Sequence, residues 1–232
     1  MKTILRQYYR VLGFAADLLI RINKFIADRY VKIWYYLGYS WFDHRFDYLR
    51  GVDNIYWLER AFFAMQLIKS QYKVLDVGCG DGSLSGLFYS VRAKSVDALD
   101  LDPAAVAHAQ KYYSRPNVRF FQSDASRISN LHQKYDIILA FAIIEHFSPS
   151  SGHQFLTDIG KMLKRQGIFM GSTPIFKELG GHNPEHANEF TNSSILKKFL
   201  TTHFRQVDLH FSQWPGNRLE CYFECSSPYV RG

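Results

Sequence analysis

The feature that most constrains the fold is a glycine-rich turn at residues 78–82 (GCGDG), between a short apolar run and a helical pattern. The apolar run at residues 74–77 predicts a buried strand, and residues 83–91 predict a helix. Glycine at alternate positions removes the Cβ atoms that would keep a ligand from the backbone, and it permits positive φ. The first turn of the helix offers free N–H groups to a carboxylate or phosphate. The turn is therefore a candidate ligand loop.

The spacing of these glycines separates two classes of nucleotide-binding protein. A dinucleotide fingerprint has the form G-x-G-x-x-G, which requires glycine at position 83. Ser83 stands there, and the third glycine comes one residue earlier, at Gly82. The sequence therefore disfavours a nicotinamide-dependent dehydrogenase.

From Lys73 onward strand patterns alternate with helix patterns, which predicts parallel strands joined by helical crossovers. The last two strands predict an antiparallel pair with a turn near residues 215–216. The predicted fold is thus α/β, a doubly wound, mostly parallel seven-stranded sheet with an N-terminal helical extension. The predicted strands cover residues 74–77, 95–99, 118–122, 136–141, 168–172, 206–211 and 218–225, and the predicted helices cover 55–68, 83–91, 103–112, 149–163 and 192–200.

Two acids follow the second and third predicted strands. Asp100, about twenty residues beyond the loop, can accept hydrogen bonds from both hydroxyls of a ribose. Asp124 can accept a hydrogen bond from an adenine amino group. Either acid alone could be a cap or a turn residue, as we expect for Asp102 before Pro103. Together with the glycine loop they form three matching elements on successive strand ends, which indicates a nucleoside-containing ligand.

These segments resemble the motifs of the class I S-adenosylmethionine-dependent methyltransferases. The stretches that carry the resemblance are VLDVGCGDGSL, ALDLDP, FFQSDA, YDIILAFAIIEHF and FLTDIGKMLKRQGIFMGSTP, all between residues 73 and 174. The details EHF and STP, with the later HANEFT, resemble the ubiquinone-biosynthesis O-methyltransferase branch. Sugar, lipid and natural-product methyltransferases share that branch. One departure is RQG at residues 165–167, where the family often has Pro-Gly-Gly. This difference changes a turn and not the chemistry.

The resemblance implies S-adenosylmethionine as the cofactor and a Rossmann-like methyltransferase fold. It implies methyl transfer as the activity and leaves the acceptor open. The cofactor contacts that it implies are Asp76 and Gly78 at the methionine end, Gly80 where the backbone admits the cofactor, Asp100 at the ribose, Asp124 at the adenine amine, Leu101 and Ala125 flanking the adenine ring, and Phe141 beneath the methionine portion.

His146 is the candidate general base. It follows the fourth predicted strand at the carboxyl edge, where ligands bind in such sheets, and histidine changes charge between pH 5 and 8. Glu145 stands beside it as a second candidate catalytic residue. The alternative is that His146 only caps the strand and orients the loop.

The polar, glycine-rich segment at residues 180–190 (GGHNPEHANEF) follows the fifth predicted strand. Loops there commonly cover the substrate, so His182, His186 and Glu189 are predicted to face it. The alternative is a surface loop that caps the next helix.

A metal-dependent mechanism is a further alternative. Glu145, His146, His182 and His186 could converge, and some RNA and quinone methyltransferases have a similar Glu-x-x-Glu-His pattern followed by a histidine. This chain has Ala142 in place of the first glutamate. We therefore predict no metal site.

The N-terminal region predicts an amphipathic helix over residues 3–30. Residues 1–40 hold seven basic and two acidic residues, within a net charge of +7 for the 232-residue chain. Three roles stay open: a lid on the catalytic domain, a dimer element, or a surface for an anionic membrane. We predict residues 1–54 as this extension with its linker and residues 55–232 as the methyltransferase domain.

Cysteine content and hydropathy bear on the compartment. Three cysteines without a CxxC pair argue against a disulfide framework or a structural zinc site. The longest apolar stretch falls short of the roughly twenty residues that span a bilayer. We expect a cytoplasmic protein that can associate with membranes.

Three functions are compatible with the sequence. The first is methyl transfer to an oxygen of a lipid-linked, prenylated or glycosyl small molecule. The second is an RNA methyltransferase, which the basic charge favours, but no RNA-binding module is recognisable, so nucleic acid is not the expected partner. The third is a non-catalytic methyltransferase-fold binding protein, against which the intact cofactor acids argue.

Overall fold

The structure is a computed structural model that describes residues 2–37, 40, 42–43, 53–176, 185–214 and 218–229. The chain divides into two compact units, Met1–Glu59 and Arg60–Gly232. The division into residues 1–54 and 55–232 stays a prediction.

The first unit contains helix α1 (Lys2–Tyr36), 35 residues long. The predicted end at residue 30 was too early, because neither glycine nor proline interrupts the chain between Gly13 and Gly38. Large apolar side chains along α1 are exposed, among them Ile4 at 70%, Phe14 at 72% and Phe25 at 61%. None of the helices within the described ranges is long and apolar enough to cross a membrane.

The second unit is built on a seven-stranded sheet whose strand order is β3-β2-β1-β4-β5-β7-β6. Strands β1 to β5 are parallel, and β7 runs antiparallel to its neighbours β5 and β6. The predicted fold class is confirmed. The strands are β1 (Lys73–Val77), β2 (Ser95–Asp100), β3 (Val118–Gln122), β4 (Tyr135–Phe141), β5 (Leu163–Ile175), β6 (Phe204–Trp214) and β7 (Arg218–Pro228).

Helices and short turns connect the strands. The helix predicted at residues 83–91 is present over residues 83–92, and its middle, Ser85–Tyr89, is a π-helix that continues into a short α-helical turn. Two 3-10 turns, Ala125–Leu131 and Ile144–His146, follow β3 and β4. The α-helices are α2 (Asp53–Leu67), α3 (Ser90–Arg92), α4 (Pro103–Tyr112), α5 (Pro149–Met162) and α6 (Ser193–Thr201).

Side-chain caps fix where the crossover helices begin. The carboxylate of Asp102 accepts a hydrogen bond from the N–H of Ala104 at 2.8 Å, directly before the proline that opens α4. Asn192 caps α6 by accepting from the N–H of Ile195 at 3.0 Å. The predicted cap Asp102 is confirmed.

The core lies on both faces of the sheet. Successive residues of a strand point to opposite faces, so β1 contributes Leu75 and Val77 to one apolar cluster and Val74 to the other. A parallel sheet requires this cover on both faces. Because β1 to β5 are parallel, their carboxyl ends lie at one edge of the sheet, and loops there carry the predicted site residues.

Candidate cofactor and acceptor site

The glycine loop after β1 has backbone geometry that depends on glycine. Gly78, Gly80 and Gly82 have φ of 73°, 56° and 78°, in the left-handed region that disfavours side chains. A Cβ at Gly78 would lie 2.1 Å from Cδ1 of Ile143, and one at Gly82 would lie 2.4 Å from Cβ of Ala109. The loop therefore lies against the chain that follows β4 at Gly78 and against α4 at Gly82.

Hydrogen bonds hold this loop to the neighbouring strand. The N–H groups of Gly78 and Cys79 both donate to the carbonyl of Leu99, at 2.8 and 2.9 Å. The buried carboxylate of Asp76 accepts from the hydroxyl of Ser85 at 2.6 Å. Burial raises the pKa of the Cys79 thiol well above its usual value, so this cysteine is a neutral packing residue.

Asp100 and Asp124 are preorganised by backbone donors. Asp100 accepts from the N–H of Gly80 at 2.7 Å and from the N–H of Asp102 at 2.9 Å, which aims its carboxylate at the glycine loop. Asp124 accepts from the N–H of Ser126 at 2.8 Å, and this backbone hydrogen bond lowers the pKa of Asp124. A carboxylate oxygen has two lone pairs, so both acids can still accept from a ligand.

The three apolar residues assigned to the cofactor differ in exposure. Leu101 is 65% exposed, and Phe141 is 6% exposed. Ala125 is half-buried against the core. The Phe141 ring lies edge-on to that of Tyr222, with 6.2 Å between centroids. An exposed leucine beside Asp100 is available to a planar ligand.

The end of β4 and the segment after β5 are joined around Glu145. The N–H groups of Ala187 and Asn188 donate to the carbonyl of Glu145 at 2.9 and 3.0 Å. Nδ1 of His146 lies 3.1 Å from the carbonyl oxygen of Glu185. The Glu145 side chain is buried, whereas His146 is exposed.

Glu145, His146 and His186 form a cluster. One carboxylate oxygen of Glu145 and one ring nitrogen from each histidine all lie within 4.8 Å of one another. The two imidazole rings are perpendicular, with centroids 5.2 Å apart. Nδ1 of His186 lies 3.7 Å from Oε1 of Glu189. The structure thus brings together four of the predicted residues, while His182 lies outside the described residues.

Glu145 is the titratable group at the centre of this cluster. Burial raises the pKa of Glu145 to about 7, and the nearby charge of Glu220 adds to the rise while Arg60 opposes it. Within the described ranges, Oε2 of Glu145 has no hydrogen-bond partner. This carboxyl can therefore exchange a proton near neutral pH.

The spacing of these donor atoms would also admit a divalent cation. Ala142, in the place of the first glutamate of the Glu-x-x-Glu-His pattern, offers no donor atom. The prediction that no metal is held stays a prediction.

Residues that the sequence reasoning missed lie beside Glu145. Arg60 and Glu220 form a buried ion pair, with Nη2 and Oε1 3.7 Å apart. The hydroxyl of Ser172 donates to the same Oε1 at 2.6 Å. The available signal was a glutamate in a strand of mostly apolar residues, but its partners are 48 and 160 positions away in the sequence.

The chain was compared with known proteins. Residues 74–167 match the family described as methyltransferase domain. A protein of Mycobacterium tuberculosis named "Probable S-adenosylmethionine-dependent methyltransferase" is 30% identical over 164 residues, which cover 67% of this chain and 58% of that protein. The ubiquinone biosynthesis O-methyltransferase of Rickettsia bellii is 26% identical over 162 residues, covering 66% of this chain and 62% of that protein. The chain thus spans about three fifths of the length of these curated relatives.

Solved structures agree on the fold. The N-methyltransferase NodS of Bradyrhizobium japonicum, solved with S-adenosylhomocysteine, superposes with a TM-score of 0.59 at 16% identity, covering 73% of this chain and 87% of NodS. The strand order, the glycine loop and these matches confirm the resemblance drawn from the motifs. By this match residues 74–167 form a methyltransferase domain, as the motifs resembling the class I S-adenosylmethionine-dependent methyltransferases implied, and the relatives include a ubiquinone-biosynthesis O-methyltransferase.

Proposed function

We propose that this protein transfers the methyl group of S-adenosylmethionine to an oxygen atom of a small-molecule acceptor. The observation that carries the proposal is the shared position of two groups of residues at the carboxyl edge of the sheet. The cofactor group is the glycine loop with Asp100 and Asp124. The second is the cluster of Glu145 and His146 with His186, which supplies proton acceptors where an acceptor oxygen would meet the methyl group.

S-adenosylmethionine, which the cofactor residues are proposed to bind, already carries its own leaving group. The acceptor oxygen forms a bond to the methyl carbon as the carbon–sulfur bond breaks, and S-adenosylhomocysteine leaves as a neutral thioether. The protein has to align the two reactants and exclude water. Asp100 and Asp124 supply fixed acceptors for ribose and adenine, while the glycine loop admits the methionine portion.

His146 is the proposed general base, and its hydrogen bond defines which nitrogen acts. The carbonyl oxygen of Glu185 can only accept, so Nδ1 of His146 carries the hydrogen across the 3.1 Å contact. Nε2 then keeps its lone pair and takes the proton of the acceptor hydroxyl. The imidazolium that forms is balanced by the carboxylate of Glu145 in the same cluster.

The acceptor is proposed to be a lipid-linked, prenylated or glycosyl compound. The segment that holds His186 and Glu189 is hydrogen-bonded over Glu145, and loops in this place commonly cover the substrate. We assign these two residues, together with His182, to acceptor binding. The ubiquinone-biosynthesis relative favours oxygen over nitrogen as the methylated atom.

Access to such an acceptor is proposed to run through the N-terminal helix. The large apolar side chains whose burial the structure describes on α1 are exposed, and its polar face is rich in lysine and arginine, a pattern typical of helices that lie on anionic lipid. We propose that residues 1–30 attach the protein, otherwise cytoplasmic, to such a surface.

The methyl-transfer proposal is tested by incubating the protein with tritiated S-adenosylmethionine and prenylated phenols, lipid-linked sugars and RNA in separate reactions. We expect label in an organic-extractable product that is stable to mild base, as an ether is. His146→Gln should slow this transfer by about 100-fold or more while S-adenosylhomocysteine still binds. Label found only in RNA would overturn the small-molecule proposal.

The membrane proposal is tested by flotation with vesicles of phosphatidylcholine and phosphatidylglycerol. Ile22→Glu places a charge in the apolar stripe of α1 and should abolish flotation, because burying an ionised carboxylate in hydrocarbon is costly. Thr3→Glu adds the same charge among the basic residues and is the matched control. Equal flotation of both variants would contradict the proposal.

A further inference from the structure

The backbone of Ala142, the residue that directly follows β4, has an unfavourable conformation. Its φ is 55°, in the left-handed region that glycine adopts readily and a residue with a Cβ does not. Such a conformation persists only where the surrounding structure fixes it, and it occurs most often at functional sites. The contacts on either side of Ala142 therefore have to explain it.

On its amino side, Ala142 is fixed to the sheet. Its N–H donates to the carbonyl of Ser172 on β5 at 2.9 Å. This hydrogen bond extends the register in which Phe141, the last residue of β4, pairs with Ser172. The end of β4 is therefore held in place up to the amide of Ala142.

On its carboxyl side, the chain turns onto the glycine loop. The side chain of Ile143 fills the space beside Gly78, where a Cβ would lie 2.1 Å from Cδ1 of Ile143. Three residues beyond Ala142, the carbonyl of Glu145 accepts two N–H groups from the segment after β5, at 2.9 and 3.0 Å. Ala142 thus lies between a fixed strand end and a turn that contacts both parts of the site.

We propose that Ala142 is a positioning residue for both parts of the site. Its left-handed backbone directs the chain after β4 so that Ile143 lies against the glycine loop while the turn with Glu145 and His146 faces the acceptor. A negative φ at residue 142 would rotate the following chain away from these contacts. The inference rests on the proposed function, which assigns the two groups of residues to cofactor and acceptor.

Substitutions at residue 142 separate the backbone requirement from the size of the side chain. Valine is branched at Cβ and very rarely adopts a positive φ, whereas asparagine is of similar size and adopts it several times more often than most residues. Ala142→Val should therefore displace the turn and weaken the binding of S-adenosylhomocysteine by about tenfold. Ala142→Asn and Ala142→Gly should retain most of the affinity, because both residues accept this conformation.

Ser227 provides the matched control, because its φ is also 55°. It follows Ser226, which pairs with Ile168 in the amino-terminal half of β5 and so lies toward the other edge of the sheet. Ser227→Val introduces the same backbone conflict away from the site. Both valine variants should lower the urea midpoint of unfolding, and Ser227→Val should bind S-adenosylhomocysteine as the unsubstituted protein does.

The experiment combines calorimetric titration with S-adenosylhomocysteine and amide hydrogen exchange of the ligand-free full chain by NMR. The amides to follow are those of Gly78, which donates to Leu99, and of Ala187 and Asn188, which donate to Glu145. All three should exchange faster in Ala142→Val than in Ser227→Val. A displaced turn loosens these hydrogen bonds locally, whereas a general loss of stability affects both variants alike.

Weaker binding and faster exchange confined to Ala142→Val support the inference. An equal loss in Ala142→Asn would attribute the effect to side-chain bulk, and unchanged binding in Ala142→Val would remove the backbone requirement; either result overturns the inference. If Ala142→Val does not fold, Ala142→Leu replaces it, since leucine and asparagine both branch at Cγ and only asparagine favours positive φ.

The exchange measurement uses neither cofactor nor acceptor, so the two proposals can fail separately. The expected exchange pattern in a protein that neither binds S-adenosylhomocysteine nor transfers methyl groups would count against the proposed function alone. Methyl transfer that is equally fast in Ala142→Val and Ser227→Val would count against this inference alone.

Discussion

At the scale of single residues, the site depends on positions that require either one particular side chain or glycine. The glycine loop follows from sequence, because glycine at alternate positions permits the positive φ that this turn requires. The contact that makes Gly78 indispensable could not be predicted, since Ile143 is 65 residues away in the chain. The same holds for the ion pair of Arg60 and Glu220, which depends on a close approach of α2 and β7.

Gly78→Ala should destabilise the domain by about 1–3 kcal/mol, because the added methyl group meets Ile143 and the backbone has positive φ. Urea unfolding measures this change. Gly13→Ala is the matched control, since a Cβ there meets nothing within 4 Å. It should stabilise α1 by about 1 kcal/mol. Ile143→Ala should relieve part of the effect in the double variant, and full additivity would argue that no clash exists.

At the scale of elements, prediction succeeded where local signals act and failed where they do not. The bounds of α4 and β3 were predicted without error, since Asp102 and Pro103 mark the helix start and the strand is flanked by turn residues. The helix after the glycine loop was predicted but its π-helical middle was not, because the apolar spacing does not separate π from α hydrogen bonding. Its Gly86 passes so close to α4 that a Cβ would lie 2.4 Å from the Tyr113 carbonyl.

A pair of histidines joins α5 to the start of β6. Nδ1 of His153 lies 2.8 Å from Nε2 of His203. Burial, and then the charge of His153, lower the pKa of His203. A folded-state pKa below the unfolded one means that the contribution to stability is full above the unfolded value and is lost as pH falls from there through the folded value. The free energy of unfolding should therefore drop as the pH falls below the unfolded histidine value of about 6.5.

His203→Gln should flatten that drop, as measured by urea midpoints at a series of pH values. His132→Asn is the control, because His132 is exposed and its φ of 46° is one that asparagine tolerates. A slope that is the same in both variants would place the acid sensitivity elsewhere.

At the scale of the whole molecule, the seven-stranded, mostly parallel sheet is the predicted one. The glycine loop, Asp100 and Asp124 lie together at one edge of the sheet, as the sequence predicted. The fold was predictable because each strand end carried its own motif. The acceptor was not, because the motifs between residues 73 and 174 indicate the cofactor and leave the acceptor open.

The most direct test of the account is calorimetric titration of the protein with S-adenosylhomocysteine, alongside Asp100→Ala. We predict micromolar binding that the substitution weakens by about tenfold or more, equivalent to roughly 1.4 kcal/mol, because the carboxylate fixed by Gly80 and Asp102 would be lost. Asp136→Asn, at the opposite edge, should bind as the unsubstituted protein does. If the unsubstituted protein does not bind S-adenosylhomocysteine, or if Asp100→Ala binds it equally well, the proposed cofactor site is contradicted.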